Sequence, residues 1–197
     1  MIKFFSEEEQ PELFQIVDEI HDFLLEECPK YTEYNENIHI TTLNEMRPYM
    51  PNLTPALEYG FGYSISNHPR NGAKIRIIVI NTEKCLEAEI TNRETKSLIL
   101  HELGHLLNWC EPIPIPHYLY CVKNKLDYNI TAEEETKIIN NVNNEIYADY
   151  YAKQFGYGED LISSFDKHIL MFEEPFGFYE QRVESIQNEE EYIGIVK

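Results

Sequence analysis

Apolar side chains recur every three or four positions from residue 13 to residue 24, at Leu13, Phe14, Ile16, Val17, Ile20, Phe23 and Leu24. The spacing predicts an amphipathic helix that ends near Cys28-Pro29. Ser6 with Glu9 three residues on matches a capping box, whereas Pro11 suits a first helical position, so both starts stand open. The pattern then changes to alternation: Ile38-His39-Ile40-Thr41-Thr42-Leu43 is β-branched and reads as a strand. Between Arg47 and Gly72 fall Pro48, Pro51, Pro55, Pro69, Gly60, Gly62 and Gly72, which predict loops around one short strand near Tyr63-Ser64-Ile65-Ser66. Ile75-Arg76-Ile77-Ile78-Val79-Ile80-Asn81 is the clearest strand, and its continuous apolar run predicts burial on both faces.

Helical spacing returns after Thr91 or Asn92, either of which can cap. Around His101, the residues Ile99, Leu100, Leu103, Leu106 and Leu107 fan over one side of the wheel, while His101, Glu102 and His105 share the other with Leu98 at its border. A helix apolar on most sides with one polar trio is expected to be central, the trio facing a cleft. It ends by Glu111, because Pro112, Pro114 and Pro116 favour an extended segment. Thr131-Ala132-Glu133-Glu134 fits a second capping box, and the helix it opens runs to Phe155 and stops at Gly156. Ile138, Val142, Glu145, Asp149 and Ala152 share one stripe of that helix. Further helices are expected from Glu159 to Phe172, with Leu161, Ile162, Phe165, Ile169 and Leu170 inside, and from about Pro175 to Gln187. The tail 188–197 passes from a charged run to an alternating apolar end, either an edge strand, a disordered tail or a strand inhibiting the cleft by sheet augmentation.

Two carboxylates inside an otherwise buried stripe are costly unless paired or metal-bound. The trio offers the metal. His-Glu-x-x-His on a helix sets two imidazoles one above the other, able to hold adjacent corners of a zinc tetrahedron. His101, His105 and Glu145 make three ligands and leave the fourth position to water. Zinc lowers the pKa of such a water to about 7, and Glu102 is placed to take its proton as it attacks a carbonyl. Asp149, one turn beyond Glu145, is placed to accept the outer N–H of a ligating histidine and fix its tautomer.

His101-Glu102-Leu103-Gly104-His105 followed by Asn144-Glu145-Ile146-Tyr147-Ala148-Asp149-Tyr150-Tyr151-Ala152 resembles the gluzincins, the zincin class whose third ligand is a Glu on a second helix. The Glu-x-x-Ala-Asp-x-x-Ala form is similar to that of peptidases of the CAAX-prenyl and HtpX type. Gly156 or Gly158, the helix Leu161–His168, and Arg182-Val183 with Ile186 fit the continuation of that pattern. The resemblance spans about residues 75–187 and gives the first 70 residues no counterpart. It implies an α+β, zincin-like fold, in which a small mixed sheet packs on an active-site helix and a backing helix, with a mostly helical C-terminal half. It also implies a zinc-dependent endopeptidase acting on a peptide or protein, without the membrane spans of those peptidases. Phe176-Gly177-Phe178-Tyr179 stands where the family carries His-Pro before its Arg-Ile segment. The side chain that stabilises the developing oxyanion therefore stays open among Tyr147, Tyr179, His168 and Arg182. The ImmA/IrrE-type regulatory proteases share the His-Glu-x-x-His and a downstream Glu, but typically carry Asn where Asp149 stands, and no helix-turn-helix pattern accompanies the motif here. A zinc-stabilised regulatory or binding protein without turnover is the reading from another class.

Composition narrows the partners. A chain of 197 residues, 43% hydrophobic, is expected to fold as one domain. The formal net charge is −19 and the sixteen Lys and Arg are scattered singly, which disfavours nucleic acid. No apolar run reaches the roughly 20 residues of a membrane span, and Met1–Phe5 leads directly into Ser6-Glu7-Glu8-Glu9 without a secretory core. Cys28, Cys85, Cys110 and Cys121 form no Cys-x-x-Cys pair, so free thiols in a reducing, cytoplasmic compartment are expected over a Cys110–Cys121 bridge. His21, His39, His68 and His117 are expected at the surface or satisfied by neighbours.

Overall fold

The computed structural model describes residues 1–27, 31, 37–52, 57–67, 75–108, 132–173 and 178–187. Pro112–Pro116, Thr131, the tail 188–197, His68, His117, Cys28, Cys110 and Cys121 lie outside the described residues. Four strands form one mixed sheet in the order β1-β2-β4-β3: β1 Ile2–Lys3, β2 Ile38–Thr42, β3 Gly62–Asn67 and β4 Ile75–Ile80. β1 pairs parallel with β2 and β2 parallel with β4, while β3 runs antiparallel to β4. The apolar β4 is thus central, as its sequence predicts, and among the described residues β3 is an edge. The helices are α1 Pro11–Glu27, α2 Leu43–Met46, α3 Thr82–Glu87, α4 Asn92–Asn108, α5 Ala132–Gln154, α6 Gly158–Phe172 and α7 Tyr179–Gln187. Among the described residues no helix is long and apolar enough to cross a membrane.

Strand alternation divides the core in two. Ile38, Ile40, Ile78 and Ile80 face one way and bury against α1 (Leu13, Ile16, Val17, Ile20, Leu24) and α4 (Leu98, Ile99, Leu103, Leu106). Val79 faces the other way, under Leu43, Met46 and Leu57, with Tyr63, Ile65 and Ile77 half-buried beside it. α1 begins at Pro11, while Ser6 and Glu9 still form a reciprocal box ahead of it, with Ser6 Oγ 2.7 Å from Glu9 Oε2. The short helices α2 and α3 escape the apolar pattern and are set by caps instead: Thr42 Oγ1 accepts from Glu45 N and Asn81 Oδ1 from Lys84 N. Leu170, expected inside α6, is 79% exposed, because the buried face of that helix is carried by Leu161, Ile162 and Phe165.

α4 starts at Thr91, whose Oγ1 accepts from Glu94 N at 3.2 Å while Glu94 Oε2 accepts from Thr91 N at 2.6 Å. Glu94 also takes Ser163 Oγ–H and the Lys167 ammonium of α6, at 2.6 and 2.7 Å, so the capping residue ties the two helices together. α5 closes in a Schellman turn: Gly156 has φ +82°, Tyr157 N donates to Ala152 O at 2.8 Å, and Gly156 N donates to Lys153 O at 2.9 Å.

α4 and α5 approach each other closely at Gly104. A Cβ on Gly104 would lie 2.6 Å from Ala148 Cα and 2.9 Å from Ala148 O, both backbone atoms of α5. We predict that Gly104→Ala forces the helices apart and destabilises the protein by about 1–3 kcal/mol through overpacking, more than the roughly 1 kcal/mol a helix gains from Gly to Ala. Urea unfolding of the two proteins decides it; a midpoint equal to or above wild type would mean that the crossing has room to spare.

Candidate metal centre

α4 carries His101 and His105 one turn apart, and the crossing at Gly104–Ala148 lays α5 beside them. His101 Nε2 and His105 Nε2 are 3.1 Å apart. Glu145 Oε2 lies 3.6 Å from the first and Oε1 3.5 Å from the second. Metal–nitrogen bonds of 2.0–2.1 Å in a tetrahedral zinc site put ligand atoms about 3.3–3.4 Å apart. The two imidazole nitrogens come close to that spacing, and Glu145 brings a different oxygen to each of them at a comparable distance. Glu102 stands with the two imidazoles: His101, Glu102 and His105 each offer a donor atom within 4.8 Å of the others. Two imidazoles and a carboxylate suit zinc as a borderline cation, and the residues fit a divalent ion.

The surroundings fix the donors. Asp149 Oδ1 is 2.8 Å from His101 Nδ1, so Nδ1 carries the proton toward Asp149 and Nε2 is left with its lone pair facing His105 and Glu145. Asp149 is fully buried, and burial alone would raise its pKa. The Arg182 guanidinium and hydrogen bonds from His101 and Arg182 overcome that and hold it below the ordinary carboxylate range. Glu145 follows the same logic: burial pushes up, while His105, Arg182 and His101 pull its carboxyl well below the usual value. His105 is pushed down by burial, yet its bond to Glu145 and the charge of Glu102 leave it raised.

Of the residues singled out in the sequence, His101, Glu102, His105, Glu145, Asp149 and Arg182 come together. Tyr147, Tyr179 and His168 do not. Tyr147 is two residues beyond Glu145, roughly 200° round the helix, with its ring 5.7 Å from that of Tyr151. Tyr179 O–H donates to Asp166 Oδ1 at 2.6 Å near the surface. His168 Nε2 donates to the Tyr59 carbonyl at 3.1 Å, its ring beside Phe61 and Phe172. Arg182 reaches the centre but contacts Asp149 and Glu145.

The residues the sequence did not single out are on β3. A Cβ on Gly62 would lie 3.5 Å from Glu102 Oε1, so this strand runs beside the carboxylate. Asn81 N donates to Phe61 O at 2.8 Å, and continuing that register turns the backbone groups of Tyr63 and Ile65 toward β4. Gly62 and Ser64 then point theirs away from the sheet, and among the described residues no strand lies on that side. Tyr63 faces the opposite layer, where burial first and then the charge of Glu102 push its phenol up to about 12. The sequence signal was the pair Gly60 and Gly62 ahead of Tyr63, which reads equally well as a turn.

Asp149 should shape the acid limb of stability. Its folded carboxyl binds a proton less tightly than the unfolded one, so acid favours unfolding. The contribution is complete above the unfolded pKa of about 3.9 and fades as pH falls toward the lower folded value. We predict that Asp149→Asn costs about 3–5 kcal/mol at pH 7, since Arg182 loses a buried counter-charge, and that its deficit against wild type shrinks below about pH 4. Urea midpoints taken from pH 7 to 3 test this; a deficit constant over that range would show that Asp149 is not its source. No protein-family model, no curated protein and no solved structure matches this chain.

Proposed function

We propose that the chain is a zinc-dependent endopeptidase with a zincin-like fold, in which His101 Nε2, His105 Nε2 and Glu145 hold the metal. The observation that carries this reading is the 3.1 Å spacing of His101 Nε2 and His105 Nε2, with Glu102 within 4.8 Å of both residues' donor atoms and one oxygen of Glu145 3.5–3.6 Å from each imidazole. Zinc, when bound, supplies the Lewis acidity that makes a water a nucleophile near neutral pH. Glu102 takes the proton of the attacking water on its carboxylate and passes it to the leaving amine, a general acid–base role in one residue. Asp149 keeps His101 in the tautomer that offers Nε2. The outward backbone groups of Gly62 and Ser64 pair with an extended peptide as an added strand and lay its scissile bond past Glu102. The substrate class that follows is an unfolded or extended protein segment.

A zinc-stabilised regulatory or binding protein is the second reading. It is favoured by one observation: Tyr147, Tyr179 and His168 all point elsewhere, and Arg182 faces carboxylates instead of the place where a carbonyl oxygen would develop charge.

The two readings part on Glu102→Gln. We predict that this variant keeps one zinc per chain and loses hydrolysis of a peptide library by at least about 10²-fold, while His105→Ala loses the metal. Undiminished turnover by Glu102→Gln, or stoichiometric zinc in His105→Ala, would falsify the corresponding role; no cleavage by the zinc-loaded wild type favours the binding protein. The substrate edge is tested separately by Ser64→Pro. Proline removes an N–H that the sheet does not use, so zinc binding is expected to persist while kcat/KM falls. Unchanged kcat/KM would place the substrate elsewhere.

A further inference from the structure

Arg182 is 3% exposed, and a guanidinium that deep is tolerated only with its charge and donors answered. α7, packed on α5 and α6, carries it with its guanidinium carbon 4.2 Å from the centroid of the Phe165 ring. Nε donates to Asp149 Oδ2 at 2.8 Å and Nη2 to Asp149 Oδ1 at 2.5 Å, a two-pronged pairing. Nη1 lies 2.9 Å from Glu145 Oε2. All three nitrogens thus face carboxylate oxygens, and the two carboxylates are the ones that meet His101 and complete the donor set.

Two consequences follow from that geometry. Glu145 has one oxygen, Oε2, drawn toward Arg182, while Oε1 faces His105 Nε2 at 3.5 Å. Asp149 Oδ1 receives both His101 Nδ1–H and Arg182 Nη2–H, so the position of the imidazole depends on a carboxylate that Arg182 holds in place. There is a charge balance as well. Glu102, Glu145 and Asp149 carry three formal negative charges and Arg182 one positive, which leaves the two that a divalent cation neutralises.

We propose that Arg182 is a positioning residue of the metal centre, which holds Glu145 as a one-oxygen donor and Asp149 as the anchor of His101. The proposal rests on the zinc reading above and gives Arg182 a task different from oxyanion stabilisation. A lysine keeps the charge but places a single ammonium where the fork serves two carboxylates at once.

The test uses the full chain and two variants, Arg182→Met and Arg182→Lys, with folding checked by far-ultraviolet circular dichroism. Zinc chloride is titrated against a chromophoric chelator, and the visible absorption of the protein loaded with cobalt chloride reports the coordination number and geometry. Arg182→Met is expected to bind zinc about 10- to 100-fold more weakly, as for other groups that orient ligands. Its cobalt bands are expected to weaken and shift as Glu145 gains freedom to offer both oxygens. Arg182→Lys should recover part of the affinity but not the wild-type cobalt spectrum. Wild-type affinity and spectrum in Arg182→Met, or full recovery of both by Arg182→Lys, overturns the positioning role. If Arg182→Met does not fold, Arg182→Lys decides alone: a wild-type spectrum overturns the proposal and an altered one supports it. Failure of the wild-type protein to bind zinc or cobalt overturns the zinc reading itself and is seen before either variant is made.

Discussion

The contact on which the rest depends is the approach of Gly104 to the backbone of Ala148. Helix axes in proteins usually pass 8–10 Å apart, kept there by side chains; here one side chain is missing and the facing one is a methyl. The two helices repeat a single pattern. α4 has His101, Gly104 and His105 at positions i, i+3 and i+4, and α5 has Glu145, Ala148 and Asp149 at the same spacing. Each helix thus sets its small residue next to its polar pair on one face. Bringing the small residues together brings the polar pairs together as well. The 3.5 and 3.6 Å separations between Glu145 and the two imidazoles are a consequence of that steric condition.

Closeness alone would be unfavourable, because it buries Asp149 and crowds three carboxylates. Buried ion pairs contribute little net stability, but breaking one is expensive. The arrangement is held by a chain of contacts that starts far from the centre. Glu94 caps α4 and binds Ser163 and Lys167, which fixes α6 against it. α6 supplies Phe165 as the surface on which the Arg182 guanidinium lies. Arg182 pairs with Asp149, and Asp149 orients His101. The polar groups at the centre are therefore specified by helix packing at both ends of α4.

Much of this was legible in the chain. β2, β4, α1, α4 and α5 follow the apolar pattern closely: α1 buries one clear face, while β4 and the middle of α4 are covered on most sides. The clustering of His101, Glu102, His105, Glu145 and Asp149 could be read because it needs only two helices and their wheels. Three things were not legible. α2 and α3 are set by the side-chain caps Thr42 and Asn81, not by periodicity. Leu170 is apolar at a position that turns to solvent, since only three apolar residues of α6 are needed to seal it. Arg182 stood out in the chain as an oxyanion candidate, but not for its pairing: its partner Asp149 is 33 residues away, and no local pattern encodes that distance.

The strand β3 was legible as a short strand from Tyr63-Ser64-Ile65-Ser66, but its place in the sheet and its nearness to Glu102 were not. A strand's pairing is non-local, so the glycines before Tyr63 do not say whether the chain turns there or runs along the sheet. In the fold β3 is antiparallel to its only described neighbour, and the face on which a Gly62 Cβ would stand is the one that meets Glu102. Gly62 is what makes that approach open. A Cβ there would touch Glu102 Oε1, Glu102 Cγ and Ile80 Cδ1 at 3.5–3.6 Å, ordinary contact distances, so a methyl fits and a larger side chain would have to occupy the space over the carboxylate. The candidate metal ligands all come from α4 and α5, whereas β3 brings the backbone of Gly62 beside Glu102. The candidate metal ligands and the backbone beside Glu102 thus belong to separate elements, so a change at Gly62 alters the surroundings of Glu102 without replacing His101, His105 or Glu145.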